Sequence, residues 1–538
     1  MLLSPLVLIA LAAGVVVYLV NVVLTRRHHA RKAREMGCEP PVRNLRRDPS
    51  GIHGLILSIR ADREKRFLQM ITQDVKDIEE KRGRPVGTFV AANAFFRDLK
   101  LTTDPQNIQA MLALKFKEFS LGENRIHNFE PLLGNGIFAS DGKQWEHSRS
   151  LLRPQFVRSQ ISDLDLEENH VRSMMTVLDR HVGAGGWTDV VDLSVLFFRL
   201  TLDSATEFLF GESVDSQLKE ANAKPGDSSS PGAASGKEVN FAKAFDDAQM
   251  VLSTAGRLGP LYWLFHNKTF REDVRQVHSF IDYFVQAALS RGRGDVKSKE
   301  EEGGDGKEKY VFLHALAEQT QNPVELRSQL LNILLAGRDT TASTLGWFFY
   351  IMAHPEHEKK YQRLRTIVLD EFGTYSNPKN ITFESLKNCQ YLQWCVNETL
   401  RMYPIVPFNA RTAVVDTCLP TGGGEDGRSP LYVKKGEDVL YSVHIMHHRK
   451  DLWGEDADEY KPERWESRRP GWDYLPFNGG PRICIGQQFA LTEIAYVAVR
   501  MIQRIDRIDG SHIGPVKDGL TLTNCPGAGV NVKLHFAE

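Results

Sequence analysis

Cys484 is the residue best placed to do chemistry. It stands in Phe477-Asn478-Gly479-Gly480-Pro481-Arg482-Ile483-Cys484-Ile485-Gly486, immediately before a helical stretch reaching about Arg504. Three glycines and a proline gather backbone N–H groups around one sulfur at a helix N-terminus, and Arg482 adds a positive charge two residues away. Dipole and hydrogen bonds of that kind lower a thiol's pKa and hold a thiolate ready as a metal ligand. A lone cysteine ligand suits haem iron, where the macrocycle supplies the other four nitrogens. A buried, inert cysteine beside a glycine-rich turn is the competing reading. The other five cysteines form no zinc or disulfide spacing and suit a reducing compartment.

A second unusual stretch is Ala336-Gly337-Arg338-Asp339-Thr340-Thr341. Asn322-Pro323 is an N-cap with proline at the first helical position, and His354-Pro355 is a stop, so Pro323 to Ala353 reads as one helix about 46 Å long. Glycine and paired threonines are unfavourable in its centre, and the threonine hydroxyls can bond back to carbonyls one turn earlier. From the helix alone, Arg338 and Asp339 read as a surface-facing polar stripe with a packing glycine. The functional alternative is a small opening over a ligand, lined by Thr340 and Asp339.

The elements that position these residues follow from composition and pattern. The chain has 538 residues, 42% of them hydrophobic, which excludes disordered, collagen-like and disulfide-scaffold classes. Its 67 basic and 68 acidic residues give a net charge of −1, so no pull toward nucleic acid is expected. Leu6–Leu24 is almost unbroken apolar sequence, spanning about 29 Å as a helix, close to a bilayer's core. Arg26, Arg27, Arg31, Lys32 and Arg34 follow it at once, which places the remainder in the cytosol. A signal peptide would need a basic segment before a shorter apolar run. The expected organisation is a transmembrane anchor (1–25), a basic, proline-dotted linker (26–60) and one domain (61–538). Asn-x-Thr triplets at Asn267, Asn380 and Asn397 are then not glycan sites. Within the domain helix exceeds strand. Short β-like runs lie near 87–101, 412–419, 431–433, 439–443 and 520–536, and loop-like inserts occupy 222–238 and 291–308. The fold class is mainly α with small β-sheets.

The Phe-x-x-Gly-x-Arg-x-Cys-x-Gly pattern of 477–486 resembles the haem loop of the cytochromes P-450. Further motifs fall in that family's order. Glu398-Thr399-Leu400-Arg401 is similar to its Glu-x-x-Arg helix, a spacing that Glu146/Arg149, Glu272/Arg275 and Glu466/Arg469 also match, so only position distinguishes it. Pro462-Glu463-Arg464-Trp465 resembles the Pro-Glu-Arg-Phe segment with Trp in place of Phe, and Ala336–Thr341 matches the oxygen-binding segment. The resemblance covers essentially the whole chain. Residues 477–493, 448–465 and the arginine at 338 are similar to the fungal branch that hydroxylates n-alkanes and fatty acids.

The resemblance implies a cytochrome P-450 fold and an endoplasmic reticulum monooxygenase holding haem b. Cys484 would be the iron's thiolate. Arg482, Trp145 and Arg149 would hold haem propionates, with Arg411 as a further propionate arginine. Phe477 belongs to the same loop, and Gly337 would give O2 and substrate room. Thr340 would hydrogen-bond the oxygen and Asp339 would relay protons toward it. Glu398, Arg401 and Arg464 would form a buried structural triad. Leu331, Leu335, Ile405, Val406, Phe408 and Leu522 would contact an oily substrate, while Phe489 reads as packing. No Gly-x-Gly-x-x-Gly dinucleotide loop follows a strand, so NADPH electrons would come from a separate flavoprotein reductase, facing Lys143, Arg153 and Arg158. Oxidation of a sterol, xenobiotic or secondary metabolite stays open. So do a reductase-independent hydroperoxide rearrangement, disfavoured by Asp339 and Thr340, and a non-enzymatic haem binder.

Overall fold

The computed structural model describes residues 5–43, 51–93, 97–157, 164–222, 236–294 and 310–537. Helices dominate, with one five-stranded sheet and smaller two- and three-stranded ones. The five-stranded sheet runs in the order Thr88–Asn93, Arg97–Thr102, Asp438–Ser442, Phe408–Ala413 and Phe119–Ser120. Only the pair Arg97–Thr102 and Asp438–Ser442 is parallel. The expected runs near 87–101 and 439–443 hold the strands Thr88–Asn93, Arg97–Thr102 and Asp438–Ser442. Strand also begins earlier than 412, at Phe408. Most of both loop-like inserts lies outside the described residues, as does Arg158.

The first helix, Pro5–Glu35, is long and apolar enough to cross a membrane, and Leu6, Leu11, Val16, Leu19, Val23 and Leu24 are among its exposed apolar side chains. It does not end where the basic residues begin. No glycine or proline interrupts the chain between Arg26 and Glu35, and Arg, Lys and Ala are good helix formers. A helix already nucleated therefore propagates at little cost until Gly37, whose φ is +68°. The stretch expected as a linker is thus helical at its start, and again from Ile52 to Arg63. The helix end is bolted to the hairpin of Thr417–Gly423 and Ser429–Val433: Lys32 Nζ lies 2.5 Å from Asp416, His29 Nδ1 lies 2.9 Å from the Tyr432 hydroxyl, and Glu39 N–H donates to Pro430 O.

The central helix, Pro323–Met352, starts as its sequence dictates. Asn322 Oδ1 accepts from the N–H groups of Val324 and Glu325, with proline at the first position. Its two halves belong to different apolar cores. Leu326–Leu335 pack with Phe241, Phe245, Phe270 and Phe312, whereas Ala342–Ala353 pack with Phe197, Leu392 and Val497. The Ala336–Thr341 segment sits at the junction.

Candidate active site

The loop before Cys484 is set by residues that tolerate unusual backbone. Gly480 has φ +67°, and a Cβ there would lie 1.9 Å from the Leu112 carbonyl oxygen, so only glycine fits. Asn478, at φ +62°, accepts from the Tyr441 hydroxyl at 3.1 Å. Cys484 N–H donates to Phe477 O at 3.0 Å and closes the loop, after which Gly486 caps the helix Gln487–Arg504. The Cys484 side chain is accessible, although protein packs on most sides of it. Burial raises its thiol pKa, and the Gly486 N–H and the Arg149 charge oppose this only in part. This corrects the expectation of a lowered value: desolvation outweighs the dipole and hydrogen bond. A bound metal cation supplies the charge that reverses such a balance.

Around Cys484 and Arg482 positive charge is in excess. Arg482 Nη2 bonds Asp141 Oδ1 at 2.5 Å and Ser140 O at 3.0 Å, and its guanidinium stacks 4.4 Å from the ring of buried Trp145. Burial pushes the Arg482 pKa down to about 9, the Arg411, Arg125 and Arg149 charges adding to the effect against Asp141. Arg125, half-buried, is pushed down to about 10 by desolvation first and by Arg411 next. Arg125 Nη1 and Arg411 Nη1 share Asn409 Oδ1, and Arg125 Nε has no partner. Among the described residues neither has a carboxylate at ion-pair distance. Four arginines with a single aspartate among them form a site with room for further anionic partners. Arg125 and Asp141 escaped the sequence reading. Nothing separates Arg125 from the other basic residues until the fold buries it.

The charge triad is closed. Glu398 is fully buried and accepts five hydrogen bonds: Arg401 Nε and Nη2 (both 2.9 Å), Arg464 Nε (2.8 Å), Lys461 N (3.0 Å) and Trp465 Nε1 (3.0 Å). Arg401 also donates to the carbonyls of His447, Ala457 and Glu459, which pins residues 447–465 to the helix Gln390–Met402. The tryptophan that departs from the family's phenylalanine therefore supplies a donor of its own.

On the central helix, every residue from Ser328 to Met352 is buried except Ala336, Gly337 and Thr340. These lie on one face by helical spacing and make a small accessible window. A Cβ on Gly337 would meet only Ala205, at 4.0 Å. Thr340 Oγ1 donates to Ala336 O at 2.7 Å, the back-bond its position suggested. Arg338 and Asp339 are buried, about 5% and 4% exposed, so the surface-stripe reading is overturned. Ion pairing with Asp246 makes the burial of Arg338 tolerable. Burial raises Asp339 to about 6. A further buried carboxyl, Glu493, bonds Ser204 Oγ at 3.0 Å and is raised to about 7 by burial. Its place within the apolar run Ala490–Ala498 was the overlooked signal.

Leu331 and Leu335 are buried in one apolar core, against which Leu522 packs. Ile405 belongs to the other core, the Phe408 ring packs on Phe67, and Val406 is exposed. Phe477 packs against the second core, and Phe489 contacts Phe156 and Phe208 as plain packing. Lys143 and Arg153 are exposed beside the Trp145 helix, Gly142–Leu152.

An enclosed cysteine at a helix start, a buried arginine cluster and a threonine–acid pair on a crossing helix define a haem-thiolate protein. The model of the family described as Cytochrome P450 matches residues 68–515, and the chain belongs to that family. Cytochrome P450 monooxygenase g430 of Fusarium sp is 51% identical over 95% of this chain and 87% of its own length. Cytochrome P450 monooxygenase alt2 of Alternaria solani is 41% identical over 98% and 97%, and cytochrome P450 52A13 of Debaryomyces hansenii 45% over 81% of each. The crystal structure of the cytochrome P450DA heme domain superposes with a TM-score of 0.68 at 20% identity, covering 87% of this chain and 92% of that one. The chain is a monooxygenase, an oxidoreductase that uses haem, O2 and a redox partner to oxidise a hydrophobic substrate.

Proposed function

We propose that this monooxygenase, anchored in the endoplasmic reticulum membrane by its first helix, inserts one oxygen atom into the terminal C–H bond of an n-alkane or fatty acid. The single observation that carries the reading is the Ala336–Gly337–Thr340 window between two apolar cores, with leucines and phenylalanines on either side. An unbranched apolar chain needs no polar partner and gains from such walls. The outward-facing leucines and valines of the first helix would keep the domain where such molecules dissolve. The likeness of 477–493 and 448–465 to the fungal hydroxylase branch points the same way.

Haem b, when bound, supplies the activation of O2. Cys484 would hold its iron, while Arg482, Arg149, Arg411 and Arg125 would pair with its propionates over the Trp145 ring, and Phe477 would pack at the loop base. Gly337 leaves space at the window. Thr340 would offer its hydroxyl to the oxygen by turning from Ala336 O, and Asp339, raised to about 6, would carry protons near neutral pH. NADPH electrons come from a separate flavoprotein reductase docking near Lys143 and Arg153. The test is a reduced carbon-monoxide difference spectrum of the full chain and of Cys484→Ser, followed by product analysis with alkanes and fatty acids of graded length. Terminal alcohols from the wild type, and no thiolate-type band from the variant, are expected. Turnover of sterols with no alkane or fatty-acid product would refute the substrate class.

A further inference from the structure

The hairpin of Thr417–Gly423 and Ser429–Val433 has two different faces. Leu419, Leu431 and Val433 join an apolar core with Met111, Leu112 and Tyr441. Cys418 and Tyr432 stand opposite each other in the register and alternate with those residues, so both lie on the other face. The end of the first helix covers that face, His29 meeting the Tyr432 hydroxyl and Lys32 meeting Asp416. Gly37, at φ +68°, then turns the chain. Cys38 is held from both sides: its own N–H donates to Ala33 O at 2.8 Å, and the Glu39 N–H donates to Pro430 O at 3.0 Å. The buried Cys38 thiol is thereby brought within interaction range of the Cys418 thiol. Lys115 Nζ donates to Cys418 Sγ at 3.3 Å, and bonds to Cys418 O (2.8 Å) and Thr417 Oγ1 (3.5 Å) fix it there. A sulfur anion is the nucleophile in thiol oxidation, and an adjacent ammonium steadies one. Cys418 is only partly buried, so a small oxidant reaches it. Cys389 and Cys395 are fully buried, and burial pushes the Cys525 thiol up to about 12.

We propose that Cys418 and Cys38 are a peroxide-reactive dithiol, oxidised to a disulfide that latches the end of the first helix to the hairpin. The oxidant is hydrogen peroxide, which O2 becomes on taking two electrons and two protons. In the first step the Cys418 sulfur attacks the peroxide: an S–O bond forms, the O–O bond breaks, and the leaving hydroxide takes the Cys418 proton to become water. In the second the Cys38 sulfur attacks the Cys418 sulfur: an S–S bond forms, the S–O bond breaks, and a second water leaves with the Cys38 proton. Two thiols and one peroxide give one disulfide and two waters. A dithiol reductant reverses the change. Cys38 suits the second role. Burial raises its thiol to about 11, with the charge and hydrogen bond of Cys418 adding to the effect against Lys115. It therefore stays protonated until Cys418 has reacted. The latch replaces contacts that salt and acid weaken, Lys32 on Asp416 above all, with a covalent bond at the same joint.

The test uses the reduced full-length holoenzyme, treated with hydrogen peroxide and mapped as peptides without reductant by mass spectrometry. A peptide joining Cys38 to Cys418 is expected, and dithiothreitol should dissolve it. Each variant is first shown to keep the wild-type haem spectrum. Cys38→Ser should leave Cys418 as a sulfenic acid that dimedone captures, whereas Cys418→Ser should leave Cys38 as a free thiol. Lys115→Met should slow the linkage roughly tenfold, since it removes the charge beside the reacting sulfur. The unsubstituted protein gives a readout that needs no variant: brief alkylation with iodoacetamide should label Cys418 before Cys525. The latch itself is read with Asp416→Asn. Once oxidised, this variant should resist tryptic cleavage between Arg26 and Arg34 roughly tenfold better than when reduced. Cys418 passing to the sulfonic acid while Cys38 stays a thiol would overturn the proposal, as would alkylation of Cys525 first. A linked D416N cut as fast as the reduced protein would refute the latch.

Discussion

Replacing Trp465 by phenylalanine should expose what the indole contributes to the charge triad. The substitution keeps a ring in place, but Glu398 loses one of five donors, the 3.0 Å bond from Nε1. A hydrogen bond to a charged group contributes about 1.5–3 kcal/mol. Both arginines and the Lys461 N–H remain, so Glu398 is not orphaned and the lower end applies, about 1.5 kcal/mol. The smaller ring also loses contact with Tyr474 (centroids 4.6 Å apart) and Trp453 (5.8 Å), worth about 1 kcal/mol more. A total of about 2–3 kcal/mol is expected from urea titrations of the holoprotein followed by circular dichroism, with the slope unchanged. Glu398→Ala, which strands two guanidiniums buried in the core, should cost more, about 3–5 kcal/mol. A double-mutant cycle isolates the bond: in the Glu398→Ala background W465F should cost about 1.5 kcal/mol less than in the wild type. A coupling under about 0.5 kcal/mol would show that the indole merely packs beside the carboxylate, and would refute the reasoning.

Arg125→Leu should speed haem transfer to apomyoglobin roughly tenfold, since it removes one charged partner of a propionate; a rate equal to wild type would leave Arg125 out of the site. Asp416→Asn should free the end of the first helix from the body, seen as faster tryptic cleavage between Arg26 and Arg34 with an unchanged haem spectrum. The Lys32 ammonium, and then the Lys435 N–H, hold the Asp416 carboxyl below its usual 3.8, at about 2. A depressed value means that the contact's contribution is complete above about pH 4 and is lost as pH falls through about 2. The contact is therefore fully formed at the neutral pH of the assay, and equal cleavage rates of wild type and D416N there would argue against the docking.

Cys484, its glycines and the following helix are one continuous segment, and the constraint is local: Gly480 must adopt positive φ wherever the loop is built. The Asn322-Pro323 start of the central helix is likewise local, because its orphan N–H groups are met by the adjacent side chain. Glu398 and Arg401 sit one turn apart, so their pairing is legible. That Trp465, 67 residues on, joins them is not.

The amino-acid sequence by itself determined the glycine-rich cysteine loop, the long helix with its polar centre and the apolar first helix, because each is a short-range pattern whose physics is complete within a few turns. Tertiary structure alone decided which charges are buried together. It gathered Arg125, Arg149, Arg411 and Asp141 around Arg482, carried Asp246 across 92 residues to Arg338, and buried a presumed surface stripe. Desolvation is a property of everything packed around a group, so neither the raised Cys484 thiol nor the raised Asp339 carboxyl could be read from neighbours in sequence.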